Sequence, residues 1–291
     1  MLGVGAASEP YLETALAAIA PAVDLLVVND NSQVTASANV AVLERSAFAE
    51  RGALRIERHP FVDFADMRNK AFAPLRAMGE PPDWVLFLDA DEVHGEQIGY
   101  VARELLPRLG PEYGSLDAYT FHFFGTFGWI SDVARRFCFF RYAANISWTT
   151  PVHEKVTGLH GKALVVPYVY HHYGNVLPAP MLAEKHLRYY DLGNPVPRPP
   201  EPSEAGPDVF LAKASSVRPF RGKHPRVARA TVSALERRFA VEFAALDRGF
   251  RERRSPSVRA AAGLRRLNES LRVQLRRLEH PGIYREATLA R

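Results

Sequence analysis

"DWVLFLDADE", residues 83–92, sets five apolar residues, Trp84 to Leu88, ahead of three carboxylates within four positions, Asp89, Asp91 and Glu92. So short an apolar run, unbroken by a polar residue, suits a strand buried on both faces, as in a parallel sheet covered by helices. Like charges packed at its end repel unless a cation, a proton or solvent stands among them. Asp89 and Asp91 are two apart, so on an extended strand end both side chains point the same way. Together they make an oxygen site for magnesium or manganese, ions that bridge to phosphate oxygens. The plain alternative is that Asp and Glu end a strand because turns favour them.

Outward from this stretch, the first half alternates strand and helix. "LGVGAAS" (2–8) reads as a short strand, and Tyr11, Leu12, Ala15, Leu16 and Ile19 follow at helical spacing. "VDLLVV" (23–28) and "ALRIERH" (53–59) read as strands, and "DMRNKAFAPLRAMG" (66–79) as a helix with Asp66 as N-cap and Gly79 as stop. The alternation predicts an α/β fold with a mixed, mainly parallel sheet and flanking helices. Ligands of such sheets bind beyond the carboxyl ends of the strands, where "VVNDNS" (27–32) and "LFLDADE" (86–92) place their polar residues.

From about residue 117 to 175 the texture becomes aromatic and strand-like: "AYTFHFFG", "RRFCFFRY", "ISWTTPVHEKV" and "ALVVPYVYHHYG". These runs predict a mixed or antiparallel extension of the sheet. "LAEKHLRYYDLG" (182–193) reads as a helix. Six prolines between Pro195 and Pro207 mark a linker or surface strap. In the tail, Val232, Leu235, Phe239, Phe243 and Leu246 form one helical stripe, and Leu264, Leu267, Leu271, Leu275 and Leu278 form another decorated by Arg265, Arg266, Arg272, Arg276 and Arg277. The expected division is an α/β domain over 1–192, a Pro-rich strap over 193–207 and a basic helical extension over 208–291.

The composition, 47% hydrophobic and 24% charged over 291 residues, is that of a soluble globular protein able to bury a core. The single cysteine, Cys138, excludes an internal disulfide and a cysteine zinc cluster, so a reducing cytosol is the default compartment. Glu9 and Glu13 interrupt the apolar-rich start and no run of eighteen apolar residues occurs, so neither a targeting segment nor a membrane span is expected. The net charge of +5 hides an asymmetry. Residues 208–291 carry 20 Lys+Arg against 8 Asp+Glu, while the rest carries 17 against 24.

"WVLFLDADE" resembles the signature of GT-A glycosyltransferases, in particular the bacterial family 2 enzymes. "LGVGAASEPYLETALAAI" is similar to that family's opening strand and helix, where an acidic residue, here Glu9, begins the nucleotide pocket; Ser8 stands where the family usually carries Asn. "VVNDNS" resembles its second strand, whose terminal Asp, here Asp30, recognises the base. "FADMRNKAF" matches its Ala-Arg-Asn-x-Ala segment through Arg68 and Asn69. "ISWTTPVHEKV" looks like the Trp-x-x-x-Val-His-Glu block of one branch, and "VYHHYGN" like the His-Tyr-Gly strand after it. The six blocks occur in the family's order over about residues 1–192.

The resemblance implies a GT-A fold and transfer of one sugar from a nucleotide-sugar donor, with inversion. Manganese or magnesium would be held by Asp91 and His172, with Asp89 a further ligand or a contact to the ribose. A divalent ion stabilises the leaving diphosphate as a Lewis acid. Arg68 would lie against base or phosphates, where a planar cation suits the geometry; its plain role is a surface helix arginine. Inversion needs a general base. The acidic pair that many members carry after the metal site is missing, so Glu154 is the best substitute and His153 its positioning partner. The alternative for Glu154 is an ion pair with Arg141 or Lys155. A lone His on an apolar strand is often a core residue, and Trp129 and Trp148 either floor a sugar site or pack the core. The Gln-x-x-Arg-Trp block of processive polymerases is absent, which implies single-sugar addition.

Acceptors compatible with this reading are a glycan, a lipid-linked glycan, a protein or a natural product. Two other classes compete. "VLFLDADEV" also looks like the first motif of haloacid-dehalogenase phosphatases, yet it begins late and no second acidic pair completes the set. A scaffold working through its basic tail would grip anionic lipid at the inner face of a membrane, or pair with a second copy; nucleic acid is the weakest candidate.

Overall fold

The computed structural model describes residues 1–34 and 37–253, and beyond them Ala260, Gly263, Leu264, Leu267, Asn268, Leu271, Gln274 and Leu275. Strand β1 (Leu2–Val4), helix α1 (Leu12–Ile19), β2 (Leu26–Asp30), α2 (Ala38–Glu44), α3 (Ala47–Glu50) and β3 (Leu54–Arg58) come first. Then follow α4 (Phe64–Arg76), β4 (Trp84–Leu86), β5 (Glu92–His94) and a helical stretch opened by α5 (Ile98–Tyr100). The aromatic segment forms β6 (Tyr113–Phe124), β7 (Thr126–Arg141), β8 (Ser147–Thr149), β9 (Lys155–Thr157) and β10 (Lys162–His172). Helices α6 (Ala179–Asp191) and α7 (Asp208–Leu211), strand β11 (Arg218–Pro219) and helices α8 (Arg229–Arg238) and α9 (Ala240–Glu252) complete the described elements.

The fold is mixed α/β. Strands β1, β2 and β3 form a parallel three-stranded sheet, with Val4 opposite Asp30 and Asp30 opposite Arg58. The expected parallel arrangement therefore describes β1 to β3 alone; β4, read as a further strand of that parallel sheet, instead pairs antiparallel with β7, because the long β6–β7 hairpin supplies its neighbour. The larger sheet runs β11-β7-β6-β10-β5 with β4 on β7, and within it β6 and β10 are parallel while the other pairs are antiparallel. The reason is local: β6 and β7 are one long hairpin that reverses at Gly125, whose φ of +74° suits a residue without a side chain. A backbone bond from the Met1 amine to the Leu86 carbonyl (2.8 Å) links the two sheets.

The core that joins them is apolar on both sides: Leu12, Val28, Leu88, Val101, Leu116 and Val166 are all buried. Burying each such side chain is worth about 1.5–3 kcal/mol. Helix α4 begins three residues earlier than its sequence suggests. Asp63, rather than Asp66, is the N-cap, accepting the Asp66 N–H at 2.7 Å. Asp66 instead pairs with Lys70 one turn on (3.4 Å).

The first tail stripe packs on the body. Val232, Leu235 and Phe243 share a buried cluster with Tyr11, Phe127 and Tyr173, and Leu246 lies in a neighbouring one with Phe210 and Trp129. The second stripe differs: Leu264, Leu267, Leu271 and Leu275 are helical but more than half exposed. Leu278 and the five arginines of that stripe lie outside the described residues. Among the described residues no helix is long and apolar enough to cross a membrane.

Candidate active site

Strand β4 ends at Leu86, and the chain turns among the carboxylates, at Ala90 and Asp91, rather than after them. The Glu92 N–H donates to the Asp89 carbonyl (3.0 Å), and Glu92 Oε2 accepts the Asp89 N–H (3.0 Å). This reciprocal pair closes the turn and gives the buried Glu92 a structural role. Burial and the neighbouring Asp89 push the Glu92 carboxyl well above the usual range. The turn also separates Asp89 from Asp91. The expectation that both point the same way from an extended strand fails because this stretch is not extended.

Asp89 meets Arg68 in a close ion pair. Arg68, buried on α4, also donates from Nε to Glu154 Oε1 (3.2 Å) and lies over the Phe87 ring, 4.2 Å from its centroid. Glu154's partner is thus Arg68, not Arg141 or Lys155. Two residues with positive φ, Thr150 (+67°) and His153 (+55°), shape the loop that presents Glu154. Such backbone is strained for residues bearing a Cβ, and strain of this kind gathers at functional sites. The His153 side chain is exposed, and its carbonyl accepts from Thr150 Oγ1 (3.2 Å).

Asp91 is held by a second set of partners. Strand pairing sets His172 opposite Glu92, and the Tyr173 N–H donates to the Asp91 carbonyl (2.9 Å). Asp91 Oδ1 then faces His172 Nε2 at 3.3 Å, while Oδ2 accepts from Lys185 Nζ on α6 (3.1 Å). Burial alone would raise the Asp91 carboxyl, but Lys185 and His172 hold it well below the usual range. His172 Nδ1 contacts His122 Nδ1 (3.1 Å), so one proton shared there orients the His172 ring. Burial, aided by His172, lowers His122 to about 3 and keeps it neutral.

Glu9 completes the acidic rim. Its backbone N–H donates to Asn39 Oδ1 (2.9 Å), and its carboxylate accepts the Tyr11 N–H (3.1 Å). Burial first, then the Asp91 charge, push Glu9 up to about 8. Asp30 sits buried at the end of β2; its Oδ1 accepts the Ser32 N–H (3.0 Å) and its Oδ2 lies 3.6 Å from Arg58. Asn69 faces elsewhere. Its amide exchanges bonds with the Trp148 backbone (2.9 Å each way) and accepts from Ser147 Oγ (3.1 Å), tying α4 to β8. Trp148 and Trp129 are both 3% exposed, stacked among aromatic core residues, so neither offers a sugar platform.

Sequence reasoning missed three residues of this site: Lys185, His122 and Tyr189, whose ring lies 5.3 Å from Phe64 beside the cluster. Lys185 and Tyr189 are four apart on α6 and share one helix face, a spacing visible in advance but without a target. A cavity of about 730 Å³ opens elsewhere, at the amino ends of β2 and β4, lined by Leu25, Met78, Trp84, Leu106 and Arg141. None of the charged site residues lines it.

A divalent cation suits part of the arrangement. Asp91 Oδ1 is buried without a hydrogen-bond partner and stands beside an imidazole nitrogen, a carboxylate–imidazole pair such an ion accepts. Asp89 is turned to Arg68 instead, and among the described residues no group of three or more His, Cys, Asp or Glu converges on one point. Magnesium commonly takes one or two carboxylates and completes its shell with substrate phosphates and water. No family model matches the chain, and no curated protein matches it.

Proposed function

We propose that the protein is a GT-A glycosyltransferase of the family 2 type that moves one sugar from a nucleotide-sugar donor to an acceptor hydroxyl with inversion. The observation that carries this reading is the convergence at one sheet edge of Asp89, Asp91, Arg68, Glu154, His172 and Lys185, drawn from five separate segments. The resemblance of the sequence blocks supplies the donor class. The residues supply what a donor of that class needs.

Asp91 and His172 would hold a divalent ion, which supplies Lewis-acid stabilisation of the departing diphosphate. Asp30 and Glu9 lie toward the carboxyl ends of β2 and β1, where a nucleoside would rest. Arg68 fixes Glu154 by one carboxylate oxygen and leaves Oε2 for the acceptor. Glu154 takes the proton of the acceptor hydroxyl as its oxygen attacks the anomeric carbon. Asn69, committed to β8, keeps α4 and therefore Arg68 in register with the loop that carries Glu154.

A thermal-shift panel of UDP-, GDP-, dTDP- and CDP-sugars, with and without manganese, tests the proposal. One donor should raise the melting temperature, by an amount that grows with its concentration over its dissociation constant. If no donor shifts the transition in either condition, the nucleotide-sugar reading is wrong.

A further inference from the structure

We propose that Lys185 is the residue that receives the donor's diphosphate, a fixed cation built into the site beside the metal-accepting edge of Asp91. The inference rests on the nucleotide-sugar reading and names the phosphate contact within it.

Lys185 lies one turn beyond the buried Leu182 on α6, and its Nζ donates to Asp91 Oδ2 (3.1 Å) and to the Gly174 carbonyl (2.9 Å). An ammonium has three donors. Among the described residues no third acceptor engages the remaining N–H, and a quarter of the side chain is exposed. Arg68, the other cation of the cluster, is in a different position. It is 6% exposed, and Asp89 and Glu154 both engage it.

The pair is accommodated deliberately. A Cβ at position 174 would stand 2.1 Å from Asp91 Oδ2 and 2.6 Å from Lys185 Nζ, so glycine there clears the space for the pair. Drawing an ammonium and a carboxylate together out of water costs several kcal/mol per ion, and an apolar pair of similar volume is often at least as stable. Stability alone is therefore a weak reason for the arrangement, whereas a ligand of opposite charge is a strong one. Asp91, with Asp89 and Glu154 only partly offset by the single charge of Arg68, would repel a diphosphate if nothing more balanced them. Lys185, touching Asp91 with one N–H to spare, offsets part of that charge where the phosphate oxygens would lie. A compact ammonium with a free N–H suits a phosphate oxygen through a charge-assisted hydrogen bond. Because this charge belongs to the chain, part of the affinity for the diphosphate persists when divalent ions are removed.

The test is isothermal titration of UDP, GDP, CDP and dTDP, and of the matching monophosphates, in EDTA and again in manganese. It uses the full chain and its Lys185→Met and Lys185→Arg variants. For whichever nucleotide binds, Lys185→Met should weaken the diphosphate at least tenfold in EDTA, leave the monophosphate within about twofold, and lose less in manganese. Lys185→Arg should recover most of the loss. Unchanged diphosphate affinity in Lys185→Met overturns the inference. So does an equal loss for both phosphate states, since a merely structural lysine would act that way. If the unaltered chain binds none of the nucleotides with or without manganese, the nucleotide-sugar reading itself fails, and that result is distinguishable from the other two.

Discussion

Replacing Gly174 by Ala adds one methyl group at the tightest point of the candidate site. Gly174 does not have the positive φ of Gly125 or Gly161, so alanine meets no backbone strain there and the effect falls on contacts alone. The new Cβ would lie 2.1 Å from Asp91 Oδ2 and 2.6 Å from Lys185 Nζ, closer than a Cβ approaches any non-bonded atom. Both the Asp91 carboxylate and the Lys185 ammonium must shift, so Lys185 loses its bonds to Asp91 and to the Gly174 carbonyl. Hydrogen bonds to charged groups are each worth roughly 1.5–3 kcal/mol, and water replaces part of that once the ammonium has shifted. The expected cost is about 2–3 kcal/mol, or about 3–5 °C in Tm for a chain of this size. The assay is urea unfolding of Gly174→Ala, Lys185→Met and the double variant. Once Lys185 is gone, Asp91 is free to turn away, so the alanine should cost about 1–2 kcal/mol less in that background. A single variant within about 0.5 kcal/mol of the parent, or a cost unaltered by Lys185→Met, would refute the reasoning; 0.5 kcal/mol is about the scatter between unrelated sites.

Glu9 titrates from an ordinary 4.5 when unfolded to about 8 when folded, so native stability should fall as pH rises through that window and level off above it. Glu9→Gln keeps the acceptor for the Tyr11 N–H and removes the titration. Its urea midpoint should gain on the parent between pH 5 and pH 8.5, and a constant difference would show that Glu9 is not protonated in the fold. Asn69→Ala removes three hydrogen bonds to β8 and should destabilise by about 2–4 kcal/mol with little change in nucleoside diphosphate affinity. The opposite outcome, an unmoved Tm with lost affinity, would make Asn69 a ligand residue. Glu154→Gln should slow transfer on the order of 100-fold or more while donor affinity stays within about twofold. Normal turnover in that variant would place the base elsewhere.

Local pattern alone determined the elements that set up the site. The short apolar strand before Asp89, the helix carrying Arg68, the aromatic strands from Tyr113 to His172 and the stripe from Val232 to Leu246 follow from periodicity, although β4 stops at Leu86 and α4 is capped by Asp63. Those signals are short-range, because side chains two, three or four apart share a face whatever the rest of the chain does. The tertiary structure decided which charges meet. Lys185 reaches Asp91 across 94 positions, Arg68 reaches Glu154 across 86 and His122 reaches His172 across 50. Nothing near Lys185 in sequence distinguishes it from a solvated helix lysine. Its contacts depend on the fold laying α6 beside Asp91 and on the absence of a side chain at Gly174. The acidic triplet shows the same division. Its residue types announced a charged sheet edge, but the bond between Glu92 and the Asp89 backbone turned the two aspartates apart. Sheet register and that turn then gave Asp89 to Arg68 and Asp91 to Lys185 and His172.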